Sequence, residues 1–162
     1  MQQKKNLKKM TDLDLGSMLH GLLFAYEKVL INFYGKEETK KLFTYLIEEL
    51  IPILYDENNK VIDKKLSIDE NMKRLEYFLS NEKIIKGLKI EKVAKNKYSI
   101  ELEECSFAKE GIHDVLNLKG GSCPYALIAA AVLSSVEPDE QYVNVGESEF
   151  TKVGSKTFLK VE

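Results

Sequence analysis

The sequence predicts an α+β fold in which N-terminal helices pack on a four-stranded antiparallel sheet, in the order ααα-ββ-α(α)-ββ. Three observations indicate this class. Apolar residues recur with helical period in the first half, they alternate with charged residues after residue 88, and the alternating stretches form two local hairpins. Strands in local hairpins pair antiparallel, with helices on one face. At 162 residues the chain fits one domain, residues 1–162.

The first predicted helix begins at a cap formed by Asp14 or Asp12, runs to Tyr34 and stops at Gly35. A broad apolar stripe of helical period is expected to face the core. It consists of Leu15, Met18, Leu19, Leu22, Leu23, Tyr26, Leu30 and Phe33. His20 lies beside this stripe, so the sequence favours a packed histidine there, and a ligand-binding histidine is the alternative.

Two more helices complete the N-terminal half. The second spans about 37–51, and Pro52 bends or ends it, because proline lacks the amide that continues a helix. The third opens at Ser67, which forms a capping box with Glu70, and continues to about Ser80. Its apolar side is expected to be buried and consists of Ile68, Met72, Leu75, Phe78 and Leu79.

The predicted strands form two hairpins. Apolar and charged residues alternate through Leu88, Ile90, Tyr98, Ile100 and Leu102, and residues 95–97 suit a tight turn between these strands. The last hairpin is expected to pair about 141–151 with 155–161 and to turn at Gly154. A short helix over about 107–117 and a nearly all-apolar helix over 123–136 separate the two hairpins.

Composition argues against nucleic-acid and membrane partners. Twenty-four Lys and Arg against twenty-six Asp and Glu give a net charge of −2, and Arg74 is the one arginine. The overall charge therefore does not attract nucleic acid or an anionic membrane, and arginine side chains that could bind phosphate or guanine are nearly absent. The longest apolar run, 126–133, is too short to span a bilayer. Abundant Lys and Glu with scarce Gln are typical of thermophile proteins.

The cysteines and the N-terminus indicate a cytoplasmic protein. Cys105 and Cys123 are too few for a disulfide framework in a chain of this length. Residues 1–12 form a basic, Lys-rich tail without the apolar region of a signal peptide. A solvated terminus is expected there, with a nucleic-acid-binding arm as the alternative.

The turn before the apolar helix is a candidate ligand site. Free amides at a helix start, with the helix dipole, can receive an anion. The residues that would bind the ligand are Lys119, Gly120, Gly121, Ser122, Cys123 and Tyr125. The alternative is that Gly-Gly-Ser merely caps a buried helix. Dinucleotide and Walker-type phosphate loops are absent from the sequence.

Cys123 is the candidate nucleophile. A helix N-terminus is expected to lower its thiol pKa, and His113 would serve as its base. A small buried thiol is the alternative. The aromatic residues at helical spacing could line a cavity or form ordinary core, and they are Tyr26, Phe33, Phe43, Tyr45, Phe78 and Tyr125.

The C-terminal half resembles the 4-vinyl-reductase domain family, whose fold is shared with TRAPP subunits and haem nitric-oxide sensor domains. The resemblance is carried by Glu104-Cys105-Ser-Phe, by Ser122-Cys123-Pro-Tyr opening an Ala-rich helix, and by the hairpin from Val145 to Phe158. It implies a homodimeric module, joined through helices, with an apolar pocket for a small molecule. The wide apolar face of residues 14–34 could supply the dimer contact.

The resemblance also implies a possible zinc site. Carried over by position, the family's ligands fall on Cys123, Glu147, Phe150 and Phe158. Two phenylalanines replace ligands, so apolar packing is expected at the hairpin. Any zinc would then be held by Cys105, His113, Cys123 and Glu147.

Three functions follow as hypotheses. The first is a sensor or carrier domain for a small apolar ligand, homodimeric and without catalytic chemistry of its own. The second is an enzyme, thiol-dependent or tetrapyrrole-related, that uses Cys123. The third is a TRAPP-like assembly subunit that binds no ligand.

Overall fold

The computed structural model describes residues 12–55, 61–81, 85–108, 113, 121–136 and 143–162. Within these ranges the helices are α1 Asp12–Tyr34, α2 Lys36–Tyr55, α3 Ile68–Asn81 and α4 Pro124–Val136. A single 3-10 turn, Ser106–Ala108, lies where the short helix over 107–117 was expected to begin. The rest of that segment except residue 113, and the predicted tail before residue 12, lie outside the described residues. Helices and an antiparallel sheet together confirm the α+β class.

The described strands form one antiparallel sheet. They are β1 Ile85–Ala94, β2 Lys97–Cys105, β3 Val143–Val145, β4 Glu149–Phe150 and β5 Ser155–Val161. Their order across the sheet is β1-β2-β5-β3, and β4 also pairs with β5. The fifth strand corrects the prediction of four, and β5 lies at the centre because it pairs with β2 on one side and with β3 and β4 on the other.

The first hairpin is confirmed. Ala94 pairs with Lys97 across the turn, and the register continues to Ile85 opposite Cys105. The Asn96 side-chain amide donates to the Val161 carbonyl at 3.0 Å, and the Val161 amide donates back to the Asn96 carbonyl at 2.9 Å. The turn is therefore fastened to the end of β5.

The last hairpin differs from the prediction because its first strand is broken. Gly146 donates to the Phe158 carbonyl at 2.8 Å, and a Cβ at Gly146 would lie 2.9 Å from that oxygen. The Ser148 amide then leaves the ladder and donates to the Gly121 carbonyl at 2.9 Å. Residues 146–148 therefore form a bulge that reaches the start of α4 and separates β3 from β4.

The core is built around α4. This helix contacts α2, α3, β3 and β5, and its alanines allow close approach of those elements. Its buried residues are Tyr125, Ala126, Leu127, Ala129, Ala130, Ala131, Val132 and Leu133. A helix that is buried on every side explains why this segment reads as almost uniformly apolar.

The predicted end of α2 is wrong, and the predicted start of α3 is confirmed. α2 continues through Pro52 to Tyr55 instead of ending near residue 51. Pro52 is exposed, so the missing backbone hydrogen bond faces solvent. The capping box of α3 is confirmed, because the Ser67 amide donates to Glu70 Oε2 at 2.8 Å and the Glu70 amide to Ser67 Oγ at 3.3 Å.

Helix α1 turns its predicted apolar stripe away from the domain. The residues that face inward and are buried are Ser17, His20, Phe24 and Glu27. The outward residues include Leu15, Leu19, Leu22, Tyr26, Val29 and Phe33, with exposed fractions between 45% and 80%. The expectation that this stripe packs into the core is wrong. Among the described residues, no helix is long and apolar enough to cross a membrane.

Candidate functional site

The start of α4 is held by side chains from two other parts of the chain. Both carboxylate oxygens of Glu27 accept from the Ser122 amide, at 2.9 and 3.1 Å. The Cys123 amide donates to Ser148 Oγ at 2.7 Å. Amides in this position have no partner inside the helix, so Glu27 and Ser148 act as its caps.

The bulge in the last hairpin delivers Ser148 to this position. Ser148 Oγ lies 2.6 Å from Thr157 Oγ1. The three residues linked by these hydrogen bonds are all buried, and they are Cys123, Ser148 and Thr157. A buried hydroxyl must be paired to avoid a desolvation penalty. The bulge therefore serves the helix cap, and it supplies a tight polar link between the sheet and α4.

Glu27 is a functional candidate that the sequence did not single out. Only 5% of its surface is exposed, and burial raises the pKa of its carboxyl group to about 7, against the opposing effect of the bond from Ser122. The signal in the sequence was its spacing. Ser17, His20, Phe24 and Glu27 recur every three or four residues and so share one face of α1.

The predicted anion site is only partly within the described residues. Lys119 and Gly120 lie outside them. Ser122 and Cys123 are placed at the helix start as predicted, but their amides are bonded to Glu27 and Ser148. An external anion would have to displace the Glu27 carboxylate, so anion binding by these residues stays a prediction.

The two thiols do not have the environment of a nucleophile. Cys105 and Cys123 are free and buried. Burial raises the pKa of the Cys123 thiol, and the hydrogen bond with Ser155 only partly opposes this effect. Burial also raises the pKa of the Cys105 thiol. The expectation that the helix start lowers the Cys123 pKa is therefore wrong, because desolvation outweighs the helix dipole.

The predicted zinc ligands are not gathered in one place. Glu147 is partly exposed and pairs with Lys36 Nζ at 2.9 Å, while Cys123 is buried at the start of α4. Over the ranges that the structure describes, no three His, Cys, Asp or Glu side chains could share a metal ion. The ring centroids of Phe150 and Phe24 lie 5.4 Å apart, so Phe150 packs against another aromatic side chain.

The structure instead brings two histidines into an aromatic cluster. We define the histidine–aromatic cluster as His20, Phe24, Phe107, His113, Tyr125 and Phe150. His20 contacts Phe24 edge to face at 4.7 Å between centroids, and its ring centroid lies 6.1 Å from that of His113. Because the rings come from α1, the 3-10 turn, α4 and β4, the cluster joins elements that are far apart in sequence.

His20 is packed as the sequence favoured, but its polar edge is not satisfied. The residue is 7% exposed, and Nε2 is buried with no hydrogen-bond partner in the part of the chain that the structure describes. Burial lowers the pKa of His20 to about 4, and His113 adds to this shift. The imidazole is therefore neutral at neutral pH.

His113 is held by a backbone carbonyl group. Its Nδ1 lies 2.9 Å from the Thr151 carbonyl oxygen. A carbonyl oxygen only accepts hydrogen bonds, so Nδ1 is the donor in this contact. Tyr125, on another wall of the cluster, bonds the Cys105 thiol, and burial raises the pKa of its hydroxyl.

The described residues also line clefts away from the histidine–aromatic cluster. A shallow cleft of about 200 Å³ runs between α2 and β3 and is lined by Lys40, Phe43, Ile47, Asn144 and other residues. A smaller one of about 10 Å³ lies between Glu27, Lys36, Thr39 and Ser122. The smaller one has room for about one water molecule. Neither includes a residue of the histidine–aromatic cluster.

Comparison with protein-family models gives no match, and comparison with curated proteins gives none either. The fold and the site are therefore interpreted from this chain's own geometry. The resemblance to the 4-vinyl-reductase family stays a hypothesis.

Proposed function

We propose that this protein binds a small, largely apolar molecule at the histidine–aromatic cluster and performs no catalysis of its own. The observation that carries this proposal is His20 Nε2, a buried polar atom without a partner among the described residues. An unsatisfied buried polar group costs about 1–3 kcal/mol. A ligand that bonds this atom would recover that cost.

The walls of the cluster suit an apolar ligand. Phe24, Phe107, Tyr125 and Phe150 surround the two imidazoles. Small-molecule sites are typically lined by aromatic and aliphatic side chains and contain a few polar groups that fix orientation. A histidine with a strongly shifted pKa inside such walls is a common mark of a binding site.

The chemistry of the neighbouring groups favours binding over catalysis. Burial raises the pKa of both thiols, so each is protonated at neutral pH. Cys123 bonds Ser155 and backbone amides, whereas a cysteine nucleophile needs an adjacent base. Free thiols are also typical of a cytoplasmic protein, which is the location that we propose.

We further propose that the module is a homodimer joined through the outer face of α1. Nine large apolar side chains of this face, Leu15, Met18, Leu19, Leu22, Leu23, Tyr26, Val29, Phe33 and Tyr34, are exposed. They present roughly 900 Å² if a fully exposed large side chain has about 180 Å². A stable interface buries about 800 Å² on each partner, so the face is large enough.

The spacing on this face favours another helix as the occupant. Leu15, Leu19, Leu22, Tyr26, Val29 and Phe33 alternate steps of four and three residues. That spacing is the seam of a helix packed against a helix in the coiled-coil manner. A second copy of α1 supplies the matching seam.

A second candidate function is an assembly subunit that resembles TRAPP proteins and binds no ligand. The exposed face of α1 favours it as well, because that face needs only a partner. The two candidates differ at His20. An assembly subunit has no use for a neutral imidazole with an unsatisfied nitrogen.

Native mass spectrometry of the purified protein, combined with thermal shifts against a panel of small aromatic compounds, tests the proposal. We expect a dimer, and a rise in melting temperature with at least one compound that is lost in His20→Phe. A dimer without any shift would favour the assembly subunit. A monomer without any shift would contradict both candidates.

A further inference from the structure

We draw no further inference here: the strongest candidate, the shallow cleft between α2 and β3, carries nothing because no contact among the described residues shows what covers it.

Discussion

The carboxylate of Glu27 accepts from the backbone amide of Ser122 with both of its oxygens, at 2.9 and 3.1 Å. The contact joins the inner face of α1 to the first turn of α4. A negative charge is favoured at a helix start, but burial of that charge is costly. Burial raises the pKa of Glu27 to about 7, so the cost of burying the charge outweighs the favourable effect of the bond from Ser122.

Replacing Glu27 by Gln should change how stability depends on pH. A raised carboxyl pKa means that the folded state favours the protonated form. The stabilising contribution is therefore complete below pH 4.5 and is lost as pH rises through about 7. Glutamine keeps the acceptor without the charge. We expect Glu27→Gln to gain about 1–3 kcal/mol relative to wild type between pH 5 and pH 8 in urea unfolding.

The matched control for this experiment is Glu48→Gln, because Glu48 is exposed on α2. Its stability difference from wild type should stay nearly constant between the two pH values. Parallel pH curves for Glu27→Gln and wild type would show that the buried carboxyl is not the source of the effect.

Replacing His20 by Phe should stabilise the unliganded protein. Because the pKa of His20 is lowered, the folded protein resists protonation of this side chain. The contribution of His20 to the free energy of unfolding is therefore present above pH 6.5 and is lost as pH falls through about 4. Phenylalanine removes both this loss and the unpaired nitrogen. We expect a gain of about 1 kcal/mol at pH 7 and a larger gain at pH 5. A variant less stable than wild type at both values would contradict the assignment.

Both thiols should be protected in the folded protein. Burial raises the pKa of Cys105 and of Cys123, and the thiolate is the form that reacts. Labelling with a thiol reagent at pH 7 should therefore be slow and should accelerate in denaturant. Fast stoichiometric labelling of Cys123 under native conditions would instead revive the hypothesis of a thiol-dependent enzyme.

A charge on the outer face of α1 should dissociate the proposed dimer. Leu22 is in the middle of that face and is exposed in the single chain. Leu22→Lys should therefore leave the fold intact and convert a dimer to a monomer in light scattering. The control is Tyr77→Lys, because Tyr77 is an exposed side chain on α3, and this variant should remain dimeric. A wild type that is monomeric at about 100 μM, where micromolar dimers form, would contradict the interface.

Local signals in the sequence predicted much of the fold. The capping box of Ser67 and Glu70, the turn before Lys97 and the uniformly apolar α4 are each encoded by neighbouring residues. These features agree with the structure because short-range chemistry decides them. Cys123 at the start of α4 is correct for the same reason.

The errors concern features that depend on distant partners. The apolar stripe of α1 is predicted to face the core, but the face that carries Gly16, His20 and Phe24 packs inward. Phe107 lies so close to Gly16 that a Cβ there would clash with its ring. The break between β3 and β4 involves a hydrogen bond from the Ser148 amide to the carbonyl of Gly121. Glu27 caps α4 because it accepts a hydrogen bond from the Ser122 amide. Periodicity shows that a helix has two faces, but it does not show which one a distant segment will cover.

A crystal structure of the protein soaked with a small aromatic compound that raises its melting temperature tests the proposed function most directly. We expect a polar atom of the bound compound within about 3.2 Å of His20 Nε2, with its ring against the aromatic side chains of the histidine–aromatic cluster. A His20 Nε2 that forms a hydrogen bond with a group of the protein itself, with no bound compound at the cluster, would contradict the proposal.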